Sequence, residues 1–504
     1  MKDRMFPLTF CRATTKLAGV LALVGACAGC ASMDGGGRTE ALMRERAERA
    51  DARRSAHAAD AGSAKTDADT LPVLSGSLSL ADAITLALAN NRSLKTAYLT
   101  RVEADGLVTE AFAGALPQVG ANASAAAVGQ QDDSADVYSL GVEVSQPLWR
   151  SGAVAAGVRY AQLYAASTDF TICEKVQATV ADVTTKYLDV LLRRHLVRVF
   201  EEAAAVSDRV LETAKSRRAQ GVVSDYEVLR AEVEVANTRA ELINERNALQ
   251  CTIVTLFQTL GVSQKSRVDF VGDLVFAPEA HDVDAASAKA FALRPDLARG
   301  LAALRMAEEN VRIVASSYGP AADLFASADY SNRINDEWDD EWTAGARATW
   351  KLFDGFERRG RMQAARSRRD QAAETLRDLE DRAHVEVVNA LLQLKYADEL
   401  YQSQIKNIDL AREALRIIGT GFALGRNTQV EVLDARAALT KATGMYYKAV
   451  HAHGLARLGV LRATGALDAS VAESGLVGEA PPVLPTPPAD VEAGAEDPET
   501  APAD

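Results

Sequence analysis

The sequence predicts an α+β membrane protein made of a duplicated unit, in which two transmembrane β-strands precede very long α-helices. Three observations lead to this fold class. The middle of the chain repeats itself, two long stretches lack proline, and short segments of alternating polarity come before each of those stretches. Internal repetition is considered first, because each copy of a repeat is expected to adopt the same structure.

The duplication is clearest in two segments of similar sequence. Residues 221–231 (GVVSDYEVLRA) align with residues 425–435 (GRNTQVEVLDA) at an offset of 204 residues. Further matches upstream keep this offset to within one residue, which indicates two copies of one structural unit. We assign the copies to residues 76–262 and 285–469, with residues 263–284 as an inter-repeat, equatorial segment.

The positions of proline predict the long helices. No proline occurs between Pro147 and Pro278 or between Pro320 and Pro481, and both gaps are rich in Ala, Leu, Glu and Arg. Because proline breaks a helix interior, each gap can hold uninterrupted helix. Residues 154–220 alone would form a helix of about 100 Å at 1.5 Å per residue. A helix of that length must pack along others to be stable.

Heptad spacing in the later part of each gap predicts how these helices pack. The first seam steps by four and three residues along Leu229, Val233, Ala236, Ala240 and Ile243. The second seam steps by three and four residues along Val432, Ala435, Leu439, Ala442 and Tyr446. Small residues on both seams would let neighbouring helices approach closely.

Four short segments alternate between apolar and polar residues, namely residues 118–125, 138–145, 323–331 and 342–352. Such alternation over about ten residues is typical of transmembrane barrel strands, whose polar face lines water and whose apolar face contacts lipid. A soluble antiparallel sheet is the alternative for these segments taken alone. Four strands cannot close a barrel, so a membrane barrel would have to be pooled between chains.

The N-terminus predicts a lipoprotein signal peptide over residues 1–26. Basic residues precede an apolar run at residues 17–26, which is too short to span a bilayer. The sequence Val-Gly-Ala-Cys ending at Cys27 resembles the lipobox of bacterial lipoproteins, and Cys30 is a second candidate. Alanine follows either cysteine, where aspartate is associated with inner-membrane retention. The pattern predicts a palmitate-bearing lipid anchor at Cys27 and delivery to the outer membrane.

Amino-acid composition indicates the character of the two ends of the chain and excludes one class of partner. Residues 27–75 predict a lipidated flexible tether, and residues 470–504 predict an acidic, Pro-rich disordered tail. The net charge of −13 without a basic stripe argues against a nucleic-acid partner. Beyond the signal peptide, no stretch is apolar enough for a transmembrane helix, so strands would have to do any spanning.

The element order and several motifs resemble the TolC family of outer-membrane efflux proteins. The resemblance covers residues 78–467 and includes Leu80-Ala81-Asp82-Ala83, Pro117-Gln118, Ser145-Gln146-Pro147-Leu148 and residues 425–435. It implies a homotrimer in which three chains pool twelve strands into one β-barrel and about twelve helices into one α-helical periplasmic tunnel. It also implies contact with outer-membrane lipids.

The resemblance further implies a passive, gated conduit across the outer membrane and periplasm. Such a channel docks onto a periplasmic adaptor protein and an inner-membrane transporter, in a tripartite efflux or type I secretion system. The sequence leaves the exported substrate open. A periplasmic adaptor lipoprotein and a structural coiled-coil lipoprotein are the alternatives, although the former would have one hairpin and the latter no strands.

The family's gate lies at the helix-turn-helix tips, where acidic residues form rings in the lumen. Carried over by position, these acids are Glu431 and Asp434, which lie on one helix face. Phe422 and Asn427 stand where TolC has a tyrosine and an arginine that hold the closed gate. Arg426 is therefore our candidate for holding it here.

Glu227 occupies the position of the acidic residue in the first repeat that, in TolC, contacts the tyrosine and arginine holding the gate closed. Two of the gate acids also have a purely structural interpretation. The spacings Ser224 to Glu227 and Thr428 to Glu431 both match capping boxes at helix starts. Asp434 lies a turn further in and has no such interpretation, which makes it the better gate candidate.

The sequence contains no motif that predicts enzymatic chemistry. Its six histidines lack metal-ligand spacing, and the glycines near residue 420 do not match a phosphate-binding loop. We therefore expect neither catalysis nor a cofactor.

Overall fold

The computed structural model describes residues 71–130, 133–279, 281–334, 337–468 and 475–478. The predicted signal peptide, Cys27, Cys30 and nearly all of the predicted tether lie outside the described residues. The chain divides between Leu71 and Pro72, and the architecture below is that of the unit that begins at Pro72.

The two halves of the chain share the order of two helices, two strands and two long helices, and differ in their short strands. The first half comprises β1 (Ser75–Leu78), α1 (Leu80–Asn90), α2 (Arg92–Ala113), β2 (Gln118–Gln130), β3 (Asp133–Trp149), α3 (Ala153–Ala219) and α4 (Asp225–Leu260). Two short strands follow, β4 (Arg267–Phe270) and β5 (Asp273–Leu274). The second half comprises α5 (Val283–Leu293), α6 (Pro295–Ser316), β6 (Ala321–Ile334), β7 (Glu337–Thr349), α7 (Glu357–Ala423), α8 (Gln429–Ala463) and β8 (Val477–Gly478). The long helices α3 and α7 each have 67 residues, so the predicted duplicated unit of two strands followed by very long helices is confirmed.

Four antiparallel strands form one sheet in the order β2-β3-β6-β7. The pairing of β3 with β6 joins the two repeats. The register places Leu140 opposite Ala123 on one side and Tyr330 on the other. Because side chains alternate between faces along a strand, these residues share one apolar face, on which Leu140 and Val142 are exposed.

The opposite face of this sheet is mostly polar. Ser139 lies opposite Ser124 and Ser331, and the hydroxyls of Ser124 and Ser139 are 2.7 Å apart. Phe325 is an exception on this face, where its ring lies against Gly345 and beneath a guanidinium. The alternation read from the sequence therefore corresponds to two chemically different faces.

The long helices lie side by side. Helix α3 packs against both α4 and α8, and α8 packs against both α3 and α7. Helices α4 and α7 are thus the outer members of a four-helix row. Among the described helices, none has the length and apolar composition needed to cross a membrane.

The two heptad seams behave differently. Most of the second seam is buried, including Val432, Ala435, Ala442 and Tyr446. The first seam is exposed instead, and α4 turns Val228, Ala231 and Val235 towards the rest of the chain. The first seam is exposed in the single chain because α4 is an outer helix, and heptad spacing does not specify whether the partner helix belongs to the same chain.

Short strands and buried apolar residues surround the middle of the long helices. Strand β1 pairs in parallel with β4, and β5 pairs with β8. The Tyr187 hydroxyl donates a hydrogen bond to the Leu78 carbonyl, 2.9 Å away, and Arg194 donates to the carbonyls of Phe270 and Gly272. These bonds fix the inter-repeat segment to α3.

Part of the predicted disordered tail is ordered. Residues 475–478 are described, and Leu476 is buried in the core while β8 completes a strand pair with β5. The prediction failed here because Leu476 and Val477 are apolar, and the inter-repeat segment offers them both a buried site and a strand edge. The remaining residues of the tail lie outside the described part of the chain.

Candidate functional site

The candidate gate lies at two helix-turn-helix tips, between α3 and α4 and between α7 and α8. Two residues beyond the end of each long helix lies a glycine in the left-handed region, Gly221 with φ of 74° and Gly425 with φ of 72°. The next amide donates back across the turn, from Val222 to the Arg217 carbonyl and from Arg426 to the Gly421 carbonyl. Glycine adopts this conformation without the steric cost of a side chain, so each tip is a defined turn.

Glu431 caps helix α8. Its carboxylate accepts hydrogen bonds from the Thr428 amide and from the Asn427 side-chain amide, both at 2.9 Å, and the Thr428 hydroxyl accepts the Glu431 amide. The Thr428 amide and the Asn427 side chain hold the pKa of Glu431 below its usual value. The capping box predicted here is therefore formed, and Asn427 extends it across the turn.

The other predicted capping box is not formed. Within the described residues, the Ser224 hydroxyl makes no capping hydrogen bond, and the Glu227 amide donates to the Ser224 backbone carbonyl instead. The neighbouring Asp225 pairs with Arg218 at the end of α3. The Glu227 carboxylate forms no hydrogen bond or ion pair with any residue that the structure describes. The second tip thus has a capped helix start and the first tip does not.

Asp434 meets a basic residue of the other repeat. Its carboxylate lies 3.4 Å from the Arg230 guanidinium. The two residues occupy equivalent positions, since the repeats are offset by 204 residues. Sequence reasoning missed Arg230, although the opposite charges at one aligned position were visible in the sequence.

A second contact joins the two tips. The guanidinium of Arg217, in the last turn of α3, lies over the ring of Phe422 at 5.2 Å from its centroid. This geometry is that of a cation–π interaction. Arg426 is exposed and forms no ion pair with the described residues of its own chain. Within the described part of the chain, Arg217 and Arg230 make these contacts between the tips, and the role of Arg426 in holding a closed gate stays a prediction.

The residues at the tips interact through charge and through packing. Within the described residues, no group of three or more His, Cys, Asp and Glu side chains is placed to hold a metal ion. What the tips provide is two rigid turns, one exposed carboxylate with a guanidinium beside it, and one aromatic contact. Such contacts can join or release two helical hairpins.

The sequence model of the outer membrane efflux protein family matches residues 83–262 and 286–466. These two matches fall on the two halves of the chain and together cover well over half of it. The chain belongs to the outer membrane efflux protein family. The resemblance drawn from the sequence is confirmed, and the chain is a subunit of an outer-membrane efflux channel. The adaptor and coiled-coil alternatives are thereby set aside.

Individual efflux proteins are similar over most of their length. The pyoverdine export outer membrane protein OpmQ of Pseudomonas aeruginosa is 22% identical over 338 residues, which are 66% of this chain and 71% of OpmQ. The crystal structure of CusC superposes with a TM-score of 0.69 at 18% identity, covering 80% of this chain and 95% of CusC. The open state of the Neisseria gonorrhoeae MtrE outer membrane channel superposes with a TM-score of 0.63 at 20% identity, covering 77% and 90%. These structures share the fold of this efflux protein.

Proposed function

We propose that this efflux protein works as a homotrimer and forms the outer-membrane component of a tripartite efflux or type I secretion system. In this proposal three chains pool twelve strands into a barrel and their long helices into a periplasmic tunnel. The assembly is a passive, gated conduit and has no catalytic activity of its own. A lipid on Cys27, or alternatively on Cys30, anchors each subunit.

The observation that carries the proposal is the exposed apolar stripe on α4. Leu229, Val233 and Ile243 are 60%, 60% and 67% exposed in the single chain. The other outer helix, α7, also exposes apolar residues, among them Leu392 and Leu410. Contiguous exposed apolar surface marks an interaction site. Because the two stripes lie on opposite ends of the helix row, α4 of one copy would pack against α7 of the next.

The four-stranded sheet also has two edges that are unpaired within the single chain. Strands β2 and β7 lie at its two edges, where unpaired backbone groups favour pairing with another strand. When two different surfaces of identical subunits contact each other, the subunits form a closed ring if the rotation from one subunit to the next is an exact fraction of a full turn. The α4-to-α7 and β2-to-β7 contacts therefore support one ring that closes the tunnel and the barrel together.

The tips are proposed to form the gate of this conduit. In the closed state, Arg230 with Asp434 and Arg217 with Phe422 would hold the two hairpins of each subunit together. Opening would separate them, and the open state of MtrE supports the view that this fold can open. Threefold symmetry would place three Asp434 carboxylates around the lumen, each beside an arginine.

The partners follow from the same proposal. A periplasmic adaptor protein would dock on the hairpins, and an inner-membrane transporter would supply the energy and select the cargo. OpmQ is named for pyoverdine export, and export is the activity we extend to this chain.

Substitution of the apolar stripe tests the proposal. The double variant Leu229→Asp/Val233→Asp places charges on the α4 stripe, and Asn237→Asp is a matched control at an exposed polar position of the same helix. We expect the wild type and the control to migrate as a heat-modifiable trimer, and the double variant to migrate as a monomer. A wild-type chain that is monomeric in detergent and in lipid would contradict the proposal.

A further inference from the structure

The first turns of α7, together with the connection from β7, are strongly basic in an acidic protein. Residues 350–369, which we call the junction segment, contain seven Lys or Arg residues and two acids, whereas the whole chain has a net charge of −13. The equivalent residues 146–165 of the first repeat contain two arginines and no acid. The excess positive charge is therefore a property of one junction and not of the duplicated unit.

The same segment exposes large apolar side chains. Trp350, Leu352, Phe353 and Phe356 are 60%, 78%, 76% and 66% exposed. They follow directly on strand β7, at the end of the sheet from which the long helices extend. Tryptophan and other aromatic side chains favour the boundary between hydrocarbon and water. This position suits the edge of a membrane that the strands span.

Phe356 adopts a conformation that phenylalanine rarely takes. Its φ is 71°, and it follows Gly355 with φ of 66°. In the first repeat the equivalent residues are Ser151 and Gly152, so a glycine occupies the position that Phe356 holds here. A bulky residue with positive φ is strained, yet the Phe356 ring is exposed. The ring packs edge-to-face on Phe353, 5.6 Å between centroids, and the two rings together form an exposed aromatic pair. A strained residue that stays exposed is a candidate for a contact made outside the chain.

The junction is held rigidly around these side chains. The Trp350 indole donates a hydrogen bond of 2.9 Å to the Tyr318 carbonyl. Arg358 pairs with Asp354 at 2.6 Å and lies over the Tyr318 ring at 5.1 Å from its centroid. The exposed apolar side chains therefore project from a fixed turn.

Three arginines of the junction segment are exposed and unneutralised. Arg359, Arg366 and Arg368 form no ion pair with any residue in the described part of the chain, whereas Arg361 pairs with Glu357. In the first repeat both arginines are engaged, Arg150 with Asp323 and Arg159 with Glu309. The second junction alone offers free positive charge beside exposed aromatic rings.

A cleft runs beside two of these arginines, Arg359 and Arg366. It has a volume of about 1310 Å³ and is lined by Arg359, Arg366, Met362 and Tyr318, with Asp370 and Glu374 further along α7. The ten residues from Arg359 to Arg368 span about 15 Å of helix. That length corresponds to the interfacial layer of a leaflet plus about one Debye length at physiological salt.

We infer that the junction segment of each subunit binds anionic phospholipid headgroups in the periplasmic leaflet of the outer membrane. This inference rests on the proposed function, because it requires β7 to span that membrane. The aromatic side chains lie at the hydrocarbon boundary, and Arg359, Arg366 and Arg368 contact phosphate groups beyond it. Arginine suits this role, since its guanidinium binds phosphate with two parallel hydrogen bonds.

The inference is tested on the full-length trimer in nanodiscs of phosphatidylcholine alone and of phosphatidylcholine with a minor fraction of phosphatidylglycerol. Native mass spectrometry counts the lipids retained on each trimer. The test variant is Arg359→Gln/Arg366→Gln/Arg368→Gln. The control, Arg382→Gln/Lys406→Gln/Arg416→Gln, removes the same charge from exposed positions further along α7.

We expect the wild type and the control to retain phosphatidylglycerol preferentially, and added salt to weaken this preference. Each arginine near an anionic surface contributes roughly fivefold to binding, so the triple variant should lose on the order of a hundredfold. Equal retention of both lipids by the wild type, or an unchanged triple variant, would overturn the inference. The inference would also be overturned if trimers of the triple variant fell apart into monomers equally in both lipid mixtures. The three arginines would then contact the neighbouring subunit and not the lipid. Failure of the wild type to insert as a trimer in phosphatidylcholine would instead count against the proposed function.

Discussion

Arg230 and Asp434 occupy the same position in the two repeats, and their side chains meet 3.4 Å apart at the tips of the two hairpins. After duplication, one copy carries the base and the other the acid at this position. An exposed ion pair of this kind contributes only about 0.2–1 kcal/mol. Such a weak link is suitable for a gate, since it can be broken without disturbing the helices.

Charge removal at this pair should change ion selectivity in opposite directions. Asp434→Asn removes three carboxylates per trimer and leaves three guanidinium groups, so cation selectivity should fall. Arg230→Gln leaves the carboxylates unneutralised, so cation selectivity should rise. Reversal potentials in planar bilayers at low salt measure both, because screening is then weak. Equal selectivity in the wild type and both variants would mean that the pair lies outside the narrow part of the lumen.

The cap at Glu431 should depend on pH. The Thr428 amide and the Asn427 side chain lower the pKa of Glu431. The ionised cap therefore stabilises the folded state fully at pH values above the pKa that glutamate has in the unfolded chain. The stabilisation is lost as the pH falls through the folded pKa of Glu431, which lies below the ordinary glutamate value. Hydrogen exchange at the Thr428 amide, corrected for the intrinsic rate, should show this loss of protection.

Substitutions separate this cap from its counterpart. Glu431→Ala should remove the protection of the Thr428 amide at neutral pH, whereas Glu431→Gln should keep part of it, because glutamine also forms capping boxes. The matched control is Glu227→Ala, which should leave the Ser224 amide unchanged. Equal effects at the two tips would show that Glu431 does not act as a cap.

The two faces of β3 should respond differently to charge. Leu140→Arg and Val142→Arg place a cation on the apolar face and should cost roughly 2–4 kcal/mol near the bilayer midplane. Ser139→Arg, on the polar face, should cost little. Unfolding from lipid vesicles by denaturant measures the difference. Similar costs on both faces would contradict a strand that has lipid on one side and water on the other.

Lipidation remains a prediction from the sequence alone. Mass spectrometry of the mature N-terminus should find an acylated Cys27 as the first residue. An acylated Cys30 would show that the lipid is attached at the second candidate cysteine. An unmodified N-terminus at another residue would contradict the predicted lipid anchor.

Most of the fold could be predicted from the sequence, because strands and long helices have local patterns. Proline spacing located α3, and period-two alternation located β3 with its two faces. Heptad spacing was less informative at Leu229, since it does not distinguish a seam within one chain from a stripe that faces another chain. Leu476 was missed because composition averages over a segment and conceals one buried apolar residue.

The candidate site was harder to predict. Glu431 was found as a cap because a capping box lies within four residues. The Arg230–Asp434 and Arg217–Phe422 contacts were missed because each joins residues about two hundred positions apart. Their partners are set by the packing of α3 against α8, which local patterns do not encode.

We propose that three copies of this chain make one gated conduit. Single-channel recording of purified trimers in planar bilayers tests whether they do. We expect discrete conductance steps from the trimer fraction, with brief openings because the proposed gate keeps the tips closed at rest. Absence of steps from intact, inserted trimers would contradict the account, as would equal conductance from the monomeric Leu229→Asp/Val233→Asp variant.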